Sequence, residues 1–133
     1  MSVADKINRL LLVDDDALLT AVLSAALAEE GYTVEAAADG REALRRFQLR
    51  RPDLVVLDVQ LEGGSGLQVL KAVRTADPEV AFVVFSNNVG LAYRKRYLGE
   101  GAVGFLDKSS EFDQLAEAVA LGLGPARDVT RGG

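Results

Sequence analysis

The chain has 133 residues, a net charge of −5 and a hydrophobic fraction of 49%, which suits one domain with a core and argues mildly against direct nucleic-acid binding. It contains neither cysteine nor histidine, so disulfides, zinc thiolates and histidine-based triads are excluded. No apolar run approaches membrane-spanning length and no signal-peptide pattern follows Met1, so we expect a soluble, cytoplasmic domain.

Apolar runs and helical patterns alternate through the first half of the chain. Residues 10–13 are a continuous apolar run followed by three aspartates, and the helix predicted after them has Asp16 as its expected N-cap. A short strand is predicted over 32–37. A second helix is predicted over 40–51, where Pro52 ends it.

The clearest strand signal is the apolar run 54–57, because no polar residue interrupts it. Asp58 closes this run, and a Gly-rich loop follows. Beyond the loop, the same alternation predicts a helix over 67–75, a strand over 80–85 and a helix over 89–100. The pattern is that of strands buried on both faces by helices.

The last part of the chain contains one more strand and one more helix. The strand is predicted over 103–106 and leads directly to Lys108. Residues 110–113 have the pattern of a capping box, which predicts the start of the last helix. Residues 122–133 hold mainly Gly, Pro and charged residues, and we expect a flexible tail or the start of a linker after a domain spanning 1–121.

Five strand–helix units predict an α/β protein with a doubly wound parallel sheet. In such sheets ligands bind outside the carboxyl ends of the strands. Four of the five predicted strands end in polar groups that could share one site there. These groups are Asp14 and Asp15, Asp58, Ser86, and Lys108.

Together, these side chains have the chemistry of a phosphoryl-transfer site. Three carboxylates brought together repel one another, and a cation offsets the repulsion. Oxygen ligands without His or Cys select a hard ion, Mg²⁺ or else Mn²⁺. Asp58 could attack phosphorus as a nucleophile. Lys108 and Ser86 offer an ammonium and a hydroxyl to the phosphoryl oxygens.

In this order and spacing, the motifs resemble the response-regulator receiver domains of two-component signalling, over Arg9 to Leu121. The resemblance implies a flavodoxin-like (βα)5 fold with a five-stranded parallel sheet in the order 2-1-3-4-5. The motifs that carry it are Val13-Asp14-Asp15, Asp58 after an apolar strand, Gly66 eight residues later, Ser86 after the fourth strand, and Lys108 after the fifth.

The resemblance also implies a role for each site residue. Asp58 would be the phosphoacceptor, and Ser86 and Lys108 would hold the phosphoryl oxygens. Asp15 would bind the metal directly together with Asp58, while Asp14 would help through water and orientation. The remaining implied roles are the Gln60 backbone carbonyl as a metal ligand, Ser86 and Phe105 as switch residues, and Asn87 and Asn88 as part of the phosphoryl pocket.

Four positions depart from the usual receiver pattern. Proline commonly follows the site lysine and stands four residues after the phosphoacceptor, but this chain has Ser109 and Glu62 there. Asn87 occupies a normally small position, and Phe105 lacks the hydroxyl of the usual tyrosine. The run from Phe105 to Phe112 resembles a subset of small bacterial receivers with a Lys-Ser pair.

A receiver of this kind would act as a phosphorylation-dependent switch. It would accept its phosphoryl group from a histidine kinase or histidine phosphotransfer protein, and it would signal to a protein target through helix 4, strand 5 and helix 5. It would catalyse only its own phosphoryl transfer and dephosphorylation, so we do not expect an enzyme. We expect neither direct nucleic-acid contact within this chain nor a membrane partner.

Two alternatives stay open. One is a degenerate receiver that acts as a phosphorylation-independent interaction module, which Asn87 and Ser109 weakly favour. The other is an aspartyl-phosphate phosphatase of the dehalogenase kind, whose nucleophile follows strand one in a DxDx[TV] pattern. The run Asp14-Asp15-Asp16-Ala17-Leu18 fits that pattern only in part and leaves Asp58 without a role.

Overall fold

The computed structural model describes residues 8–61, 64–87 and 90–124. Within these ranges five parallel strands form one sheet, in the order β2-β1-β3-β4-β5. The strands are β1 (Arg9–Val13), β2 (Thr33–Ala37), β3 (Leu54–Leu57), β4 (Ala81–Ser86) and β5 (Gly104–Asp107). The predicted flavodoxin-like fold and its 2-1-3-4-5 order are therefore confirmed.

Helices cover both faces of the sheet. They are α1 (Ala17–Glu29), α2 (Gly40–Leu49), α3 (Gly66–Ala76), α4 (Leu91–Gly99) and α5 (Leu115–Leu123). Apolar side chains of α1 and α5 pack on one face with Leu10, Leu12 and Phe85, whereas α2, α3 and α4 pack on the other with Val55 and Phe82. All four residues of β3 are buried, as its uninterrupted apolar run requires. In the described part of the chain, no helix combines the length and apolarity needed to cross a bilayer.

Aspartate side chains cap the N-termini of the first two helices. The Asp16 side chain accepts the backbone N–H of Leu19 at 3.0 Å, and the Asp39 side chain accepts that of Glu42 at 2.8 Å. Glu42 in turn accepts the N–H of Ala38, the residue before the N-cap, at 3.2 Å. The bonds from Leu19 and Glu42 satisfy amide groups that a helix start leaves without intrahelical partners, and Asp16 is confirmed as an N-cap.

Several boundaries differ from the sequence prediction by one or two residues, and three of the differences concern helix ends. Helix α2 ends at Leu49, because Arg50 already has an extended backbone ahead of Pro52. The predicted capping box at 110–113 is wrong: the Glu111 side chain accepts the Asp107 N–H at 2.8 Å, and a 3₁₀ turn precedes α5. Helix α5 continues to Leu123, and the part of the predicted tail beyond Gly124 lies outside the described residues.

Strand register brings the polar strand ends to one edge. Val13 pairs with Leu57, and Leu57 pairs with Val84, so β1 and β3 end at the same level. Strand β4 runs two residues further, and its last residue, Ser86, pairs with Asp107 of β5. Ser86 and the residues that follow β1, β3 and β5 are thus carried to the carboxyl edge of the sheet, where α/β proteins place their ligands.

Candidate functional site

The structure brings together the five polar residues that the sequence placed at this edge. One carboxylate oxygen from each of Asp14, Asp15 and Asp58 lies within 4.8 Å of the others. The Ser86 hydroxyl donates to Asp58 Oδ1 at 2.7 Å. Lys108 Nζ lies 3.0 Å from Asp58 Oδ2 and 2.5 Å from Asp14 Oδ2.

Both oxygens of Asp58 are held in fixed positions. Ser86 and the Gln60 backbone N–H, at 3.2 Å, donate to Oδ1, while Lys108 donates to Oδ2. Only 8% of Asp58 is exposed, so these bonds replace water that the carboxylate loses on folding. The arrangement orients one buried carboxylate at the centre of the edge.

Asp14 is a supporting member of the site. Its Oδ1 accepts the Asp16 N–H at 2.9 Å and its Oδ2 meets Lys108. Asp15 is exposed, whereas only 9% of Asp14 is. A cation arriving from solvent therefore meets Asp15 first, and Asp14 is already engaged in orienting Lys108.

Burial and the Lys108 ammonium act in opposite directions on the site's charges. Burial raises the pKa of Asp14 above its usual 3.8, although the hydrogen bond from Lys108 works against this shift. Burial disfavours the charge on Lys108, but its bonds to Asp14 and Asp58 outweigh that effect and raise its pKa above 10.5.

These shifts make the stability of the fold depend on pH. Folded Asp14 holds its proton more tightly than unfolded Asp14, so its ionisation lowers stability as pH rises through the folded pKa. Lys108 favours the folded state below pH 10.5, and this contribution is lost as pH rises through its folded pKa.

Gly66 permits the close approach between α3 and the backbone of Asp58. Its N–H donates to the Val59 carbonyl at 3.0 Å. A Cβ at this position would overlap the backbone oxygen of Asp58 and lie 3.2 Å from the Tyr97 hydroxyl. Glycine is needed here because backbone lies directly against backbone.

We expect Gly66→Ala to destabilise the fold by about 1–3 kcal/mol, the range for overpacking a tight site. The added methyl must push α3 away from Asp58. Gly99→Ala is the matched control, because a Cβ there meets nothing within 4 Å and lies in a helix. This control should be neutral or stabilising by up to about 1 kcal/mol. Urea unfolding of both variants measures the difference, and equal midpoints would refute the close-approach argument.

Other residues singled out from the sequence have varied positions. Asn87 is exposed and follows Ser86 at the edge, while Asn88 and Glu62 lie outside the described residues. The Lys108–Ser109 peptide bond is trans. Asp107, the last residue of β5, accepts both the N–H and the hydroxyl of Ser109, at 2.9 and 2.7 Å. The hydroxyl bond is the main cause that lowers the pKa of Asp107 below its usual value.

Phe105 faces the interior, with 4% of its surface exposed. Its ring meets Tyr97 edge-on, at 6.2 Å between centroids, and the Arg94 guanidinium lies 5.8 Å from its centroid. Arg94 also donates to the Phe105 carbonyl at 3.3 Å. The sequence analysis missed Arg94 and Tyr97, because neither residue follows a strand or belongs to a receiver motif.

The protein has an α/β fold. At the edge of its sheet, a buried carboxylate contacts a hydroxyl and an ammonium beside two further carboxylates. This arrangement is a site for a hard cation and an oxyanion. The chain belongs to the response regulator receiver domain family, whose sequence pattern matches residues 10–120. It is a receiver domain of the two-component class, as the sequence motifs predicted.

Relatives of known structure share the fold along most of their length. The non-phosphorylated HemR receiver domain from Leptospira biflexa is 28% identical, with a TM-score of 0.83 over 90% of this chain and 97% of that one. The response regulator TrrA from Thermotoga maritima, crystallised in complex with Mg²⁺-BeF, is 34% identical, with a TM-score of 0.75 over 85% of this chain and 96% of that one.

Among curated proteins, the chain is similar to the transcriptional regulatory protein TrcR of Mycobacterium tuberculosis. The two are 36% identical over 107 residues, which make up 80% of this chain and 42% of TrcR. The chain thus spans less than half the length of this relative.

The acidic cluster fits a magnesium ion by its donor chemistry. Receiver domains generally bind Mg²⁺ at an acidic pocket, and Asp14, Asp15 and Asp58 offer three carboxylate oxygens within 4.8 Å of one another. All of these donors are oxygens, which hard cations prefer. Lys108 already offsets part of their mutual repulsion, so the group can persist before a cation arrives.

Proposed function

We propose that this chain is a phosphorylation-dependent switch that accepts a phosphoryl group on Asp58. The observation that carries the proposal is the orientation of this one buried carboxylate by Ser86 and Lys108 within reach of Asp14 and Asp15. A carboxylate needed only for folding could be paired by Lys108 alone. Here both oxygens have donors, and the neighbouring carboxylates add a cation site.

In the proposed reaction, an oxygen of Asp58 attacks the phosphorus of an external donor. The new bond is O–P, and the bond that breaks is P–N of a phosphohistidine or P–O of an acyl phosphate. The leaving imidazole or carboxylate takes the bonding electron pair. Lys108 and Ser86, now at 3.0 and 2.7 Å from Asp58, then hydrogen bond to the transferred phosphoryl oxygens.

Asp15, Asp58 and the Gln60 backbone carbonyl would hold Mg²⁺, with Asp14 acting through water and orientation. When bound, the ion neutralises charge that accumulates on the phosphoryl oxygens. The crystallised complex of the relative TrrA with Mg²⁺-BeF supports this assignment. Mn²⁺ has the same preference for oxygen ligands and is the expected substitute.

The donor must come from outside the chain, since the sequence contains no histidine that could form a phosphohistidine. We therefore propose a histidine kinase or histidine phosphotransfer protein as partner, in the cytoplasm, and a protein as downstream target. The chain would catalyse its own phosphorylation and dephosphorylation and no other reaction. Contact with nucleic acid within this chain is not part of the proposal, given its net charge of −5.

Incubation with acetyl phosphate and Mg²⁺, followed by intact mass and peptide mapping, tests the proposal against its rivals. A phosphoryl adduct on Asp58 supports the switch. An unmodified chain would favour the degenerate interaction module that Asn87 and Ser109 suggested. An adduct on Asp14 would favour the phosphatase alternative.

We further propose that the signal leaves through α4, β5 and α5. Support comes from Phe105 on β5, which contacts α4 through Arg94 and Tyr97. Because Phe105 is already buried and Ser86 already contacts Asp58, we expect the response to phosphorylation to be modest. Beryllofluoride with Mg²⁺ should shift amide resonances across 89–121 by small amounts. Shifts confined to 59–66 would contradict this output face.

A further inference from the structure

Tyr97 has a polar group buried beside the phosphoacceptor segment. Only 2% of Tyr97 is exposed, although it lies in α4, whose other residues are exposed. Its hydroxyl reaches the start of α3, 3.2 Å from the point where a Cβ on residue 66 would lie. Burial raises the pKa of Tyr97 to about 12. The hydroxyl is therefore neutral at physiological pH.

The start of α3 offers the Tyr97 hydroxyl an amide group to accept. The first amide groups of a helix lack intrahelical partners, and Leu67 is the second residue of α3. The Gly66 N–H already donates to Val59. The Tyr97 hydroxyl thus lies close to an amide group that has no intrahelical partner, at a point where the backbone lies against the Asp58 carbonyl.

The Tyr97 side chain reaches from α4 to the start of α3 along the edge of a cleft. A cleft of about 580 Å³ opens between α4 and the segment from Val59 to Leu61, and Tyr97 forms part of its wall. On the side away from the cleft, the Tyr97 ring contacts the Phe105 ring edge-on. The Tyr97 side chain therefore contacts both the phosphoacceptor segment and the aromatic residue of β5. Its backbone belongs to α4, whose surface is exposed.

We propose that Tyr97 is a positioning residue whose hydroxyl ties α4 to the start of α3, so that rearrangement at Asp58 is passed to the exposed face of α4. The proposal rests on the function proposed above. Phe105 has no hydroxyl with which to report on the site. In this chain the hydroxyl group is instead on α4, against the backbone of the phosphoacceptor segment.

Tyr97→Phe removes the hydroxyl and keeps the ring that packs on Phe105. Without any ligand, exchange of the Leu67 amide should become about twofold to tenfold faster, the effect of losing one hydrogen bond. With beryllofluoride and Mg²⁺, amide shifts over 91–99 should shrink relative to the native chain. Those of the Asp58 segment, 58–61, should remain.

Tyr93→Phe is the matched control, because Tyr93 lies one turn earlier in α4 and is 41% exposed. It should leave both measurements unchanged. The proposal is overturned if Tyr97→Phe leaves Leu67 exchange or the α4 shifts as in the native chain, or if Tyr93→Phe has equal effects. A failure of the proposed function would look different. The native chain would then show no amide shift at Asp58 with beryllofluoride and Mg²⁺, whereas exchange of the Leu67 amide would still report the Tyr97 bond.

Discussion

Asp58→Asn should eliminate the mass increase that acetyl phosphate and Mg²⁺ produce in the native chain. The amide has nearly the size of the carboxylate and can still meet Ser86 and Lys108, but its oxygen is a poor nucleophile. Removing an enzyme's nucleophile has cost on the order of 10⁶-fold in rate in a well-studied case. A labelling experiment over minutes to hours should therefore detect no adduct.

Asp53→Asn provides the matched control for that experiment. Asp53 precedes β3 at its opposite end, where its side chain accepts the Arg9 N–H at 2.7 Å. The same chemical change on the same strand should leave labelling in place. Labelling that persists in Asp58→Asn, at Asp14 or Asp15, would show that the nucleophile has been misassigned.

The fold could be predicted because local sequence and global architecture agree. The run Leu54 to Leu57 is apolar throughout, and it forms the central strand that helices bury on both faces. Asp16 and Asp39 stand where helices begin, and both accept N-terminal amides. The errors lie at the ends of elements. The predicted capping box at 110–113 illustrates this, because a 3₁₀ turn without a side-chain cap precedes α5 and the Glu111 side chain accepts the amide of Asp107.

The site could be predicted in outline because each member directly follows or ends a strand. Parallel strands carry their carboxyl ends to one edge, so Asp14, Asp58 and Lys108 meet although they are far apart in sequence. The contribution of Tyr97 was not predictable in the same way. Its role depends on how α4 packs against the start of α3, and helical periodicity alone does not specify that contact.

Lys108→Met should tighten Mg²⁺ binding while it slows phosphorylation. In the structure the Lys108 ammonium contacts Asp14 and Asp58, 2.5 and 3.0 Å away, and these carboxylates belong to the expected cation site. Removing the ammonium leaves three carboxylates with more uncompensated charge. We expect affinity for Mg²⁺ to rise about tenfold, or about 1.4 kcal/mol, a fraction of the gross Coulomb energy of charges about 5 Å apart.

Phosphoryl transfer should respond in the opposite direction. Without Lys108 no ammonium stabilises the charge that develops on the phosphoryl oxygens, and loss of one such donor typically slows reaction by about 100-fold or more. Titration calorimetry with Mg²⁺ and the rate of labelling by acetyl phosphate measure the two effects separately. Asp15→Ala should weaken Mg²⁺ binding, so the two variants bracket the native affinity.

Lys71→Met controls for the change in net charge. The Lys71 side chain is 52% exposed and pairs with Glu100 on the surface, away from the three aspartates of the site. It should alter neither Mg²⁺ affinity nor labelling, because exposed charges are screened by solvent and salt. If Lys108→Met bound Mg²⁺ no more tightly than Lys71→Met, Lys108 would not compete with the cation for Asp14 and Asp58. If Lys108→Met were labelled at the native rate, the ammonium would have no part in holding the phosphoryl group.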